Sequence, residues 1–591
     1  MTRIYYAVLL SLFILSSCKK EIHEVLIEAE SFKEKGGWVV DPQFVEQMGS
    51  PYLLAHGLGS PVRNAKSAFK VPSSAEYYVW VRTKNWVPGQ WEAPGRFKLI
   101  IDGKELKTVF GTEEGWNWQN AGSTFIKDTI AEIELKDLTG FDGRCDAIYL
   151  STEKSTPPST LKELSEWRKK LLNESETPQT KETFDLVVVG GGIAGCAASV
   201  AAAEQGLKVA LIQDRPVLGG NASNEIRINV EGITWKSNRI LSMLNTGRWQ
   251  NGSPESFNDD KKRQENMARY RNITIFLNYR AYNVNTKSDS IVSVDARETS
   301  TGKTIRFSSP LYVDCTGDGW IGFWAGAEYM YGREDSLKYN ENWELYKELW
   351  SPPQPDKRIM GSSVLWRTFD NGHPVSFPEV RWAMDVAGDY YATEGTWNWE
   401  FSNNDLNQIE DAEEIRDHML RAIYGSFFNA KQKPENANLA LEWISYLIGK
   451  RESRRLVGDY IYTFQDERKM VEFPDAVAME KRNIDVHYQL NQKNSSQPDF
   501  LGEAIYYNVD HYYIPYRSLY SKNIKNLLMA GRCFSCSHVG LGGPRVMNTT
   551  GQMGVAVGYA ASLCKKYNTN PRGVYFSHIE ELKNMISSGK P

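Results

Sequence analysis

The sequence predicts a multidomain chain: an all-β sandwich first, then a doubly wound α/β domain of Rossmann type with an inserted α+β cap. Three observations carry this. Short runs rich in Val, Ile, Tyr and Phe, punctuated by Gly, Pro, Asn and Asp, fill residues 25–152. A strand, a glycine turn, a small-residue helix and a second strand follow one another from Phe184. A long aromatic- and charge-rich stretch then separates that unit from another small-residue helix near the C-terminus. The chain has 591 residues, enough for several domains with cores of their own.

The N-terminal element is a signal segment, residues 1–18. Arg3 precedes an apolar run from Ile4 to Leu15, too short to span a bilayer. Leu15-Ser16-Ser17-Cys18 resembles the lipobox of bacterial lipoproteins. That resemblance implies a lipid on Cys18 and an exported protein anchored to the outer membrane, on its periplasmic or surface face. An ordinary signal peptide with an incidental Cys18 is the alternative. The net charge of -4, with both signs mixed, leaves no nucleic-acid footprint. Seven scattered cysteines do not form a disulfide framework.

The β element spans 25–152. Its runs, among them "VLIEAESF", "EYYVWVRT" and "DAIYLST", have strand composition, and their spacing predicts a sandwich. Glu28-Ala29-Glu30 and Asp146-Ala147-Ile148 resemble the first and last strands of galactose-binding-like carbohydrate-binding modules. The resemblance implies a structural calcium on Glu28, Glu30 and Asp146; solvated surface acids are the alternative. The region holds Trp38, Trp86, Trp91, Trp116 and Trp118. Trp86 and Trp91 lie in the loop "NWVPGQWEAPG", where they serve either as a saccharide platform or as a docking surface for the next domain. Residues 153–183 read as a linker with a short helix.

The α/β element begins with "FDLVVVGGGIAGCAASVAAAEQG". Gly190 permits the tight turn, Gly192 lets the backbone approach a diphosphate, and Gly195 lets helix and strand pack closely. Ile193 and Ala194 open the helix, whose first N–H groups and positive end suit an anion. At the end of the second strand either Gln213 or Asp214 holds a ribose. Leu218-Gly219-Gly220-Asn221 follows. "LYVDCTGDGWIGFWAGAEY" and "NLLMAGRCFSCSHVGLGGPRVMNTTGQMGVAVGYAA" add two more strand-and-turn units, the second ending in a helix.

Together with "GKRESRRLVGDYIYTFQD" and "YYIPYRSLY", these segments resemble the FAD-dependent oxidoreductases over 184–570. The resemblance implies bound FAD, with Gly219, Gly220, Asn221, Thr316, Gly317, Asp318, Gly531, Arg532, Gly551 and Gln552 around it. The last helix, expected to start near Asn548, would stabilise charge on a reduced flavin with its N-terminus. Gly551, Gly554 and Gly558 serve close approach to the cofactor or helix packing. Residues 571–591 form a tail helix, and roughly 233–270 and 331–520 form a cap.

Three residues are candidate bases: His538 after the last strand, and His511 and Tyr516 upstream of it. Arg451 and Arg455, one helical turn apart, and Arg545 are candidates for gripping a substrate. Cys533 and Cys536 spell C-x-x-C, read as packing rather than a redox pair. The expected activity is oxidation of a secondary alcohol on a saccharide, or the reverse. No second glycine-rich fingerprint supports direct nicotinamide use, and the electron acceptor is unassigned. Two other readings are flavin-assisted elimination or isomerisation on a uronate-containing saccharide, and a glycan-binding surface lipoprotein with a degenerate flavin domain.

Overall fold

The computed structural model describes residues 21–588, apart from 176, 246, 248–251, 344, 389 and 497–499. The signal segment and Cys18 lie outside the described residues. Among those described, no helix is long and apolar enough to cross a membrane.

The first domain has two antiparallel sheets. One runs Val39–Asp41, Tyr52–His56, Phe141–Ser151, Ala75–Thr83 and Asn117–Ile126, with Glu24–Glu28 added on Phe141–Ser151. The other runs Ala65–Lys70, Ile130–Asp137, Phe97–Ile101 and Lys104–Glu105. Alternating apolar residues of both meet in one core: Val79, Val81, Ile148 and Leu150 from the first, Leu99, Ile101, Ile133 and Leu135 from the second. Fully burying each such side chain contributes ~1.5–3 kcal/mol.

Phe141–Ser151 is buried along its whole length, so its polar residues need partners. Asp146 Oδ2 takes Arg82 at 2.7 Å and Arg168 at 2.5 Å. Arg168 comes from the linker helix Leu161–Leu171, and its Nε also lies 3.3 Å from Glu28. Burial, opposed by Arg168, pushes Glu28 up to about 7, and burial with the neighbouring Glu28 raises Glu30 well above the usual carboxylate range. This corrects the calcium expectation for Glu28, Glu30 and Asp146. A guanidinium stands among the three acids, and among the described residues no group of acids, histidines or cysteines is able to hold a metal.

The loop tryptophans face the second domain. Trp86 packs edge-on against Trp382 with centroids 5.3 Å apart, in a core that includes Trp366, Trp399 and Phe427. Trp91 is half-buried against the same cluster. Around this apolar patch, Arg144 reaches Glu413 at 2.8 Å and Asp417, both on the helix Ala412–Lys431. These contacts are docking contacts, with no open face on Trp86 for a sugar.

The second domain is organised on a five-stranded parallel sheet, in the order Ile273–Leu277, Val209–Gln213, Leu186–Val189, Tyr312–Asp314 and Leu527–Met529. Leu186–Val189 is apolar throughout because both of its faces are covered. Small residues of the helix Ile193–Glu204 let Met547–Tyr567 lie against it. A Cβ on Gly554 or Gly558 would collide with the carbonyls of Ala194 and Ala198, so these two glycines serve helix packing. Two expected boundaries shift. Ile240, Leu241 and Leu244 of the supposed cap join the core of the parallel sheet. So do Val574, Leu582 and Ile586 of Pro571–Ser588, which makes that helix part of the domain rather than a tail.

Candidate active site

A cavity of about 660 Å³ opens at the carboxyl ends of the parallel strands. Val189 and Gln213 end two of those strands, Thr316 and Gly531 follow two more, and all four line it. Ligands bind at this edge of open α/β sheets because helix N-termini and loops converge there.

One part of the lining is a bare-backbone cradle. Gly190 has φ +106°, and a side chain there would strike the carbonyl of Cys315. Gly195 has the same constraint against the Gly190 carbonyl. Gly192 and Gly531 differ. A Cβ on Gly192 would meet only Gly220 Cα at 3.9 Å, and one on Gly531 only Ala194 Cβ at 3.9 Å. Both therefore border open cavity. The helix Ile193–Glu204 starts from Gly192 with no side-chain cap, leaving its first N–H groups for a ligand. Val546, Met547 and Thr550 bring the start of the other helix to the same cavity.

These residues fit FAD. Gly192, Ile193 and Ala194 suit the diphosphate. Gln213 is committed to the turn: Oε1 accepts the Gly191 N–H at 2.7 Å, and Nε2 donates to the Val217 carbonyl at 3.2 Å. That leaves Asp214, which lines the cavity, for a ribose. Gly219, Gly220, Asn221, Thr316, Gly317, Asp318 and Arg532 also line it. Arg532 Nε is buried without a hydrogen-bond partner. Gly551 and Gln552 do not line it. A Cβ on Gly551 would lie 2.6 Å from Leu241, and Gln552 bonds to the Met479 backbone and the Ile233 carbonyl.

Another part of the lining carries arginines. Arg451, Arg482, Asp485, His487, Arg545, Trp397 and Tyr506 line it. His487 Nδ1 lies 2.7 Å from Glu400 Oε2, and Nε2 lies 3.0 Å from Asp485 Oδ1. Asp485 Oδ2 takes Arg482 at 3.0 Å and Arg545 at 3.1 Å. Arg451 lies 3.5 Å from Glu400 and donates to Ser363 at 2.6 Å. Burial pushes the two carboxyls up, but Arg545 and His487 hold Asp485, and Arg451 and His487 hold Glu400, below their ordinary values. Arg482 also lies 3.8 Å from Glu231, another lining residue, so three guanidiniums face three carboxylates on this wall.

The expected bases lie elsewhere. His538 does not line the cavity. It is buried, its Nδ1 is 2.8 Å from Glu452, and its own N–H donates to Glu334 at 2.9 Å. His511 pairs with the exposed Asp510. Tyr516 is fully buried and donates to the Pro571 carbonyl at 3.0 Å. Of the arginines, Arg451 and Arg545 reach the cavity and Arg455 does not. Arg455 bridges Glu334 and Glu452 at 2.8 Å each. The helix expected there is absent, because Arg451–Arg454 connect two short strands, Gly449–Lys450 and Arg455–Leu456. Cys533 and Cys536 are free buried thiols, raised well above the usual thiol range by burial. His487, Asp485 and Arg482 are the site residues that sequence reasoning missed.

Comparison with known proteins found similarities to parts of the chain. A probable mitochondrial glycerol-3-phosphate dehydrogenase of Dictyostelium discoideum is 28% identical over 118 residues, which is 20% of this chain and 18% of that one. The chain thus spans about a fifth of that relative's length. Among solved structures, a geranylgeranyl bacteriochlorophyll reductase-like protein from Thermoplasma acidophilum is 12% identical, covers 70% of this chain and 85% of its own, and has a TM-score of 0.29. A family 35 carbohydrate binding module from Clostridium thermocellum is 17% identical, covers 22% of this chain and 96% of its own, and has a TM-score of 0.18. The family model described as FAD dependent oxidoreductase matches residues 185–586, more than half of the chain. With the glycine cradle in place, the chain belongs to the FAD dependent oxidoreductase family.

Proposed function

We propose that this protein transfers two electrons between FAD and a hydroxyl–carbonyl pair on a saccharide that carries a carboxylate. One observation carries the reading: His487 stands on the cavity wall between Glu400 and Asp485, with Arg451, Arg482 and Arg545 around it. Guanidinium forks bind carboxylates with two parallel charge-assisted hydrogen bonds, so a wall carrying three of them suits a substrate carboxylate. Trp397 and Tyr506, 39% and 50% exposed, offer flat faces to a sugar ring.

Bound FAD supplies the two-electron acceptor or donor. The protein's part is position and proton. Arg545 and Arg451 orient the substrate carboxylate, while Glu400 fixes the His487 ring through Nδ1. Once the substrate hydroxyl replaces Asp485 at Nε2, His487 takes the hydroxyl proton there in oxidation and returns it in reduction.

The test is anaerobic mixing of the FAD-loaded protein with a panel of saccharides, with and without a carboxylate, read by flavin absorbance and product mass. Bleaching by carboxylated members, with a product lighter by one hydrogen pair, is expected. Turnover with unchanged mass would replace the proposal by isomerisation. Leu15-Ser16-Ser17-Cys18 supports export with a lipid on Cys18, in line with a glycan-processing lipoprotein. A Cys18→Ala chain that stays with membranes would overturn the anchor.

A further inference from the structure

The cavity has a wall that the family match does not include. Gln43, Phe44, Glu46 and Gln47, from the first domain, line it beside Asp214, Arg215 and Arg280. They are held there from several directions. Arg280 donates to Glu46 from Nη2 at 2.6 Å and from Nε at 3.2 Å. The same guanidinium reaches Asp214 Oδ2 at 3.3 Å. Gln43 Oε1 accepts the Ile448 N–H at 2.8 Å, and its Nε2 donates to the Tyr446 carbonyl at 3.0 Å. Gln47 donates to the Glu410 and Ile409 carbonyls. Ile409, Glu410 and Ile448 are themselves lining residues.

Asp214 follows the second strand, where an acidic residue meets the ribose of the adenosine half of a bound dinucleotide. Arg280 is a bridge between that acid and Glu46. Without Glu46, the guanidinium would have Asp214 as its remaining carboxylate partner and would draw it away from a ligand. We propose that residues 43–47 of the first domain are part of the FAD site, with Glu46 acting as a positioning residue that sets Asp214, through Arg280, for the adenosine ribose. The first domain then has a second job besides any glycan contact: it completes the cofactor pocket. This rests on the FAD assignment and is separable from the substrate proposal.

Full-length Glu46→Ala and Trp86→Phe chains, stripped of cofactor, are titrated with FAD and with ADP, which carries only the adenosine half. Hydrogen bonds to charged groups contribute roughly 1.5–3 kcal/mol, so the FAD dissociation constant of Glu46→Ala should rise about tenfold or more. ADP should weaken by the same factor, and Trp86→Phe, altered at the interface away from the cavity, should bind both as wild type does. Wild-type ADP affinity in Glu46→Ala would overturn the inference. So would equal weakening in Trp86→Phe, which would make the effect one of domain docking. A wild-type chain that binds neither FAD nor ADP would instead overturn the FAD assignment.

Discussion

Two clusters of histidine, carboxylate and arginine lie in the second domain, and they differ in what lies beside them. In the first, His538 faces Glu452, Arg455 bridges Glu452 and Glu334, and Met360 donates its backbone N–H to Glu452. In the second, His487 stands between Glu400 and Asp485, with Arg451 and Arg545 at the two ends. Both rings are nearly covered, at 2% and 6% exposure. Burial and charge therefore do not separate them. The first cluster is closed by protein on all sides, so its charges answer one another and hold strands together. The second borders a cavity that it shares with the glycine cradle. A histidine does chemistry only where a reacting atom can reach it.

The largest contrast should come from the two histidines. His487→Gln keeps an N–H for Glu400 and cannot act as a base. General acid–base catalysis is worth roughly 10²–10⁴-fold, so flavin reduction by substrate should slow by that range while FAD stays bound. His538→Ala strips Glu452 of a partner and should cost ~1–3 kcal/mol of stability. Its rate per bound FAD should remain near wild type. Rapid-mixing absorbance under anaerobic conditions, with thermal melts, reads both. A slow His538→Ala enzyme with an intact melt would reverse the comparison.

The arginines should repeat the contrast at lower amplitude. Arg545→Lys keeps the charge and loses the fork. The KM for a carboxylated substrate should rise by about tenfold, with little change in melting temperature. Arg455→Met leaves Glu334 and Glu452 without their cation, and removing one partner of a buried pair costs ~3–5 kcal/mol. Its KM should not move. A KM change in Arg455→Met equal to that in Arg545→Lys would mean that the two clusters act as one.

What the sequence made legible follows the range of the interactions. Gly190, Gly192 and Gly195 act within one turn, so their spacing alone gave the strand, the turn and the helix that the structure contains. The alternation in "RFKLIID" and "AEIELKD" likewise gave strands facing a core. The acid cluster of the first domain was visible as Glu28, Glu30 and Asp146, but its counter-ion was not. Arg168 lies 22 residues from Asp146, on a helix read as linker. His487 was missed because its partner Glu400, and Arg545 that pairs with neighbouring Asp485, are distant in the chain. A signal was present in "IDVHYQ": Ile484, Val486 and Tyr488 form one apolar face, so Asp485 and His487 must share the other. Polar residues alternating on a buried strand need partners, and here the partners are a site. The aromatic- and charge-rich stretch "EGTWNWEFSNND" holds Trp397 and Glu400, though composition alone could not choose them.

A third contrast concerns pH, and it separates the clusters by sign. Glu341 lies beside the closed cluster, accepting from Ser537 and from the Phe464 N–H, and burial pushes its carboxyl up to about 8 from an ordinary 4.5. The native state therefore holds a proton that the unfolded chain releases between those values. Stability should fall as pH rises from about 5 to about 8, by up to ~1.4 kcal/mol per pH unit, and level off above that. Asp485 at the cavity has the opposite shift: burial pushes it up, and Arg545 and His487 more than offset this. Its contribution is fully present above the ordinary carboxylate range and is lost only in acid. Glu341→Gln should therefore flatten the alkaline limb of the melting-temperature curve, raising the melt at pH near 9 and leaving the acid limb as it was. Asp485→Asn should flatten the acid limb alone. Melts from about pH 3 to 9 would decide it. An unchanged alkaline limb in Glu341→Gln would mean that the closed cluster holds Glu341 ionised, and that its arginine, not its burial, sets the charge.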